Sequence, residues 1–213
     1  MIISQISWAP ITWVGKDNNM LIKNLQIQAA KKCNKIILAC PTYMLDITQP
    51  DKDSGDWAHF NAEGIRRLGE YMGKVYDFEI NQNIDWIPLS PANITRVENI
   101  IVVKFNVPVT PLNWDTSIVC INDQSGFEFI DSGDGTVSIA SVAITDSDEV
   151  TITLNKTPTS LTKTLYYAYT EIFTNNGTEY HRGRGQLRDS DSTKSLWGYD
   201  LRNYCVSFSQ EIN

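Results

Sequence analysis

The chain has 213 residues, 42% of them hydrophobic and 20% charged, the proportions of a globular chain rather than a disordered one. Its formal net charge of −7 argues against a general nucleic-acid binder, which needs a surplus of Lys and Arg. No apolar run approaches the roughly 20 residues that cross a bilayer, and MIISQISWAPITW lacks the basic stretch and small-residue cleavage site of a secretory signal, so the chain reads as soluble.

The first part alternates strand-like and helix-like patterns. IISQIS (2–7) reads as a buried strand, followed by the aromatic loop WAPITWVG. Asp17 or Asn18 can cap a helix over 17–33. Leu21, Leu25 and Ala29, four residues apart, predict its buried face, which Met20, Ile27 and Ala30 broaden. KIILACP (35–41) predicts a second buried strand stopped by Pro41, with Cys40 as a small buried hydrophobe. A polar loop, DITQPDKDSGD, leads to a helix over 61–76 whose stripe is Ile65, Leu68, Met72 and Val75. Strand, helix, strand, helix is the order of an α/β layered fold. The two strands are expected to be parallel neighbours joined by a right-handed crossover.

Residues 81–93, with two prolines and four Asn or Gln, read as a linker. About seven short β-branched or aromatic runs follow, from NIIVVKFNVPV to YCVSFSQ, separated by turns such as DSGDG, TDSDE and TNNGT. That pattern predicts an all-β antiparallel sandwich over 94–213. Four cysteines without a CxxC pair are too sparse for a disulfide scaffold.

The sharpest candidate for chemistry is Asp56-Trp57-Ala58-His59 at the head of the second helix. A carboxylate three residues before a His can hydrogen-bond one imidazole nitrogen and leave the other free as a base. The other reading is a surface turn in which Asp56 caps the helix. GDWAHFNAEGIRRLGEYMGKVY resembles the last sequence block of the SGNH (GDSL-like) hydrolases, in the branch similar to sialate O-acetylesterases. Asp56, His59, Asn61, Ala62, Gly64, Leu68 and Gly69 supply the pattern. The resemblance implies that His59 is the general base and Asp56 its orienting partner. It also implies that residues 1–80 are the C-terminal part of a three-layer α/β/α esterase domain. The nucleophilic Ser and the oxyanion-hole blocks of that family have no counterpart here, and Ser132, in the turn DSGDG, is given no catalytic role. A base without nucleophile or oxyanion donors does not carry out acyl transfer. The chain alone is therefore expected to be inactive, with the nucleophile supplied by an upstream segment or a companion chain.

A second resemblance lies in HRGRGQLRDSDSTKSLWGYDLRNYCVSF. Gly185, Leu187, Arg188, Asp189, Ser190, Leu201, Asn203 and Tyr204 match the closing stretch of β-domains that follow SGNH modules in bacteriophage tail spikes. The Arg188–Asp189 neighbourhood would brace a long loop, while Trp197, Tyr199 and His181 would offer aromatic platforms to sugar rings. Acidic turns at Asp131/Asp134, Asp146/Asp148/Glu149 and Asp189/Asp191 do not follow the EF-hand spacing and read as solvated turns. The expectation is thus the C-terminal portion of a tail-spike carbohydrate O-acetylesterase. It would act on bacterial surface polysaccharide from the virion, most naturally as a homotrimer, with no metal or organic cofactor implied. The alternative is a non-catalytic structural or receptor-binding tail module. The trimer rests on the tail-spike resemblance, on an incomplete α/β layer, and on aromatics (Trp114, Phe127, Phe129, Tyr166, Tyr167, Tyr169, Tyr180) in excess of what a small sandwich buries.

Overall fold

The computed structural model describes residues 1–7, 15–45, 59–118, 124–170, 172–175, 178–181 and 183–213; of Lys16, 172–175 and 178–181 only the backbone is described. The first layer comprises β1 (Ile2–Gln5), α1 (Lys16–Lys32), β2 (Ile37–Pro41) and α2 (Ala62–Tyr76). β1 and β2 pair in parallel, as the sequence predicts, with Ile2 opposite Ile37 and Ile3 opposite Leu38. Asn61 caps α2, its side-chain oxygen accepting the Gly64 N–H at 2.8 Å. After α2 comes a π-helical turn, Asp77–Asn81.

The β-rich part begins inside the expected linker. It comprises β3 (Ser90–Val97), β4 (Ile100–Asn106), β5 (Asn113–Trp114), β6 (Phe127–Asp131), β7 (Ile139–Asp146) and β8 (Glu149–Leu154). β9 (Lys163–Tyr167), β10 (Ile172–Asn175), β11 (Thr178–His181), β12 (Leu187–Arg188) and β13 (Phe208–Glu211) follow. Among the described residues, β3-β4-β8-β7 form a four-stranded antiparallel sheet and β13-β9-β6 a three-stranded one, with the small pairs β10-β11 and β5-β12 beside them. The chain is thus a mixed α/β part followed by a β-rich part. One continuous core joins them: Leu38, Tyr43, Tyr71 and Val75 pack in the same cluster as Ile101, Phe127, Tyr167 and Phe208.

The face of α1 differs from expectation. Met20 and Ile27 are buried, but Leu21, Ile22 and Leu25 are exposed, while Asn19 and Lys23 are buried. The cap differs too: Gly15 is the cap residue and the helix begins at Lys16, so Asp17 and Asn18 lie inside its first turn. The reason is what α1 lies against. The Gln26 carboxamide donates to the Ser4 C=O (3.0 Å) and accepts from the Ile6 N–H (3.1 Å), standing in for a peptide unit along the edge of β1 that does not face β2. Asn24 does the same at the β13 edge, accepting the Ser209 N–H at 3.1 Å and donating to its C=O at 3.3 Å. On β1, Gln5 binds Ser207 in the same two-point manner, accepting its N–H and donating to its C=O, at 2.7 and 2.8 Å. Unpaired strand edges demand polar partners, and this demand turns amides inward and leucines outward. In α2, Leu68, Met72 and Val75 pack inward as expected, but Ile65 is exposed and Tyr71 takes its place.

Most of the aromatics expected to be in surplus pack within the β-rich part itself. Phe127, Phe129, Tyr167 and Tyr169 are buried, Trp114 packs against the core, and Tyr166 stacks on Tyr169 at 4.2 Å. The expected aromatic surplus is therefore not seen among the described residues, and it lends no support to an oligomer; the side chain of Tyr180 lies outside them.

Candidate active site

His59 is exposed and lies two residues before the Asn61 cap, at the head of α2. The next residue, Phe60, packs against the core. Phe60 and the cap together fix where the helix starts, and so where the imidazole stands. Asp56 lies outside the described residues, so the pair's geometry does too. His181 is placed only by its backbone in β11, opposite Ile172. Trp197 and Tyr199 lie far from it in sequence, on a turn that packs against α2, where the Arg66 guanidinium stands 4.6 Å from the Trp197 ring centre and 5.3 Å from that of Tyr199.

The C-terminal motif folds as a brace, and α2 is what it braces. Asp189 is fully buried, and each of its carboxylate oxygens accepts two N–H groups. Oδ1 takes those of Asp191 (3.1 Å) and Asn203 (2.9 Å); Oδ2 takes the Val109 N–H (3.1 Å) and the Asn203 side-chain amide (2.7 Å). Lys74, buried on the inner face of α2, donates to Asp191 Oδ2 (3.0 Å), Asn203 Oδ1 (2.6 Å) and the Leu201 C=O (2.5 Å). Tyr71, one turn earlier, donates to the Arg202 C=O at 2.8 Å. Burial raises the Asp189 carboxyl against the pull of its N–H donors. Burial lowers the Lys74 ammonium, with Asp191 resisting. For Asp191 burial acts upward, but the bonds from Thr193 and Lys74 prevail and hold its carboxyl low. The expected solvated turn at Asp189/Asp191 is thus a buried, ion-paired network. Its neighbour Arg188 donates to the Asp189 C=O at 2.8 Å.

Sequence reasoning missed Lys74, Arg66, Glu63 and Glu70. The E-x-x-R-x-x-x-E spacing 63–66–70 was legible as an ion-pair ladder along one helix face, and Arg66 does pair with both carboxylates. The other acidic turns are local: Asp131 Oδ1 accepts the N–H groups of Gly133 (3.0 Å) and Asp134 (3.2 Å). Among the described residues no group of three or more His, Cys, Asp or Glu is placed to hold a metal ion. Burial pushes the Cys40 thiol up to about 12, making it an inert core residue.

No family model and no curated protein matches the sequence. Among solved structures, the chain is similar to XAC1771, a carbohydrate acetylesterase from Xanthomonas citri, with a TM-score of 0.59 and 11% identity. The similarity covers 98% of this chain and 40% of that one. The N-terminal part of the bacterial S-layer protein SbsC aligns over 95% of this chain and 34% of its own at 12% identity, but its TM-score of 0.35 is too low to indicate a common fold. The first likeness is one of fold, and this chain spans well under half of that enzyme's length.

Proposed function

We propose that this chain is the C-terminal portion of an SGNH-type carbohydrate O-acetylesterase. In this reading His59 is the general base and Asp56 orients it, while a serine on an upstream segment or companion chain attacks the acetyl carbonyl. The observation that carries the reading is His59 standing exposed at the head of a capped, braced helix, behind the sequence Asp-x-x-His. The base takes the serine proton as the C–O bond forms, then returns it to the sugar oxygen as the ester bond breaks. Water repeats the cycle on the acyl-serine and releases acetate. An exposed position suits a base that must meet a polymeric substrate.

The substrate is bacterial surface polysaccharide and the setting a phage tail, on the strength of the C-terminal motif's likeness to tail-spike β-domains. Three copies are proposed to assemble, with the exposed Leu21, Ile22 and Leu25 of α1 in contact with a second copy. Acetate release from O-acetylated capsular polysaccharide tests the reading. The chain co-produced with the segment encoded immediately upstream is expected to release acetate, and the 213-residue chain alone is not. Equal release by the chain alone would overturn the division of the site.

A further inference from the structure

The turn over 194–200 is built to display three apolar side chains. Lys194 and Asp200 face each other in a β-bridge and form an ion pair. The Leu201 N–H donates to the Thr193 C=O, and the Ser195 N–H to the Tyr199 C=O, both at 2.8 Å. Inside the turn, Ser195 Oγ accepts the N–H groups of Trp197 (3.0 Å) and Tyr199 (3.2 Å), and Gly198 adopts the positive φ of 89° that closes it. A turn pinned at so many points holds its tip in one shape. That tip exposes Leu196 by 90%, Trp197 by 62% and Tyr199 by 44%. Single exposed hydrophobics are ordinary, whereas three within four positions on a fixed turn mark a contact surface.

The rings are also held from one side. The guanidinium of Arg66 lies over both of them and is itself clamped by Glu63 and by Glu70 at 3.1 Å. Glu70 also accepts the Leu196 N–H at 3.2 Å, and Arg67 stands 5.5 Å from the Tyr199 ring centre. The result is an exposed apolar cluster bordered by carboxylates and guanidinium groups.

We infer that Leu196, Trp197 and Tyr199 form a platform for a pyranose ring of a polysaccharide. The choice of ligand rests on the carbohydrate-esterase reading and gives that reading a substrate contact. A pyranose offers an apolar C–H face to a ring and hydroxyls around its rim. The turn offers the complement of both: indole and phenol surface for the face, charged donors and acceptors for the hydroxyls. A protein partner fits less well. The three side chains expose roughly 400 Å², about half of the ~800 Å² that each side of a stable complex contributes. Arg66, five residues past the Asn61 cap, lies about 7 Å along the axis from the head of α2. The platform is therefore anchored on the first turns of the helix that His59 precedes.

A microarray of bacterial capsular and O-antigen polysaccharides, native and de-O-acetylated, tests this with the 213-residue chain. The chain is expected to bind at least one polysaccharide, and Trp197→Ala to weaken that binding at least tenfold. Trp197→Phe should keep most of it, and the control Leu161→Ala all of it. Thermal melting of each variant separates lost binding from lost folding. Binding indifferent to Trp197→Ala, or no binding to any polysaccharide, would overturn the platform. So would self-association of the chain that Trp197→Ala abolishes. Acetate release is scored apart, on the chain co-produced with its upstream segment: Trp197-dependent binding by the 213-residue chain with no release by the co-produced pair sinks the esterase reading alone, and release by the pair with binding indifferent to Trp197 sinks the platform alone.

Discussion

At the scale of single residues, the structure separates side chains that look alike in the sequence. Lys74 reads as one more helix-surface lysine, yet it lies buried against Asp191, Asn203 and a carbonyl. Its role was illegible because its partners lie more than a hundred residues away, and only tertiary packing brings them together. Removing one partner of a buried ion pair strands the other charge. Lys74→Met is therefore expected to lower unfolding stability by about 3–5 kcal/mol, as urea denaturation would show. Gly185 was legible as a motif glycine but not its cause: a Cβ there would sit 2.1 Å from the Tyr167 ring. Asp134, by contrast, is governed by neighbours at the protein surface. The ion pair with Lys156 and the bonds from Thr136 hold its carboxyl at about 2. Since this lies below the unfolded value, its stabilising contribution is complete above the ordinary carboxylate range and fades as pH falls towards 2. An NMR titration should find the Asp134 midpoint near the depressed value, and Lys156→Ala should move it upward.

At the scale of elements, the strand–helix–strand–helix order of the first part, the parallel pairing of β1 with β2 and the body of α2 were legible, because hydrophobic period carries them. The buried face of α1 was not. Periodicity assumes that helices turn apolar residues inward, but α1 lies across strand edges whose peptide groups need partners, so Asn24 and Gln26 turn inward and Leu21 and Leu25 outward. The start of β3 was hidden as well, because Pro91 and Asn93 read as linker while lying at a bulge of an edge strand. The amides make a clear prediction. Gln5→Leu leaves the buried Ser207 N–H and C=O without their partner and is expected to cost about 2–4 kcal/mol, measured by thermal or urea unfolding. Gln28→Ala, on the exposed side of α1, should be close to neutral.

At the scale of the whole molecule, one core runs through both parts of the chain, so the brace of Lys74 and Asp191 makes the position of α2 depend on the β-rich part. Half of the candidate site was legible in the sequence: His59 at a helix head. The aromatic turn beside Arg66 was legible only as residue types, since nothing in their spacing shows that residues 66 and 197 meet. The exposed face of α1 leads to a further expectation. Light scattering at micromolar concentration should give three times the 24.1 kDa of one chain, and Leu21→Glu with Leu25→Glu should reduce it to one; a wild-type mass near 24.1 kDa with no larger species would remove the trimer.

His59, positioned by α2 and oriented by Asp56, is proposed as the base of an O-acetylesterase. The most direct test compares kcat for acetate release from O-acetylated polysaccharide by the chain co-produced with its upstream segment, with and without His59→Ala and Asp56→Asn. Each substitution is expected to lower kcat by about 10³–10⁴-fold, with KM little changed. Acetate release at an undiminished rate in His59→Ala would contradict the account.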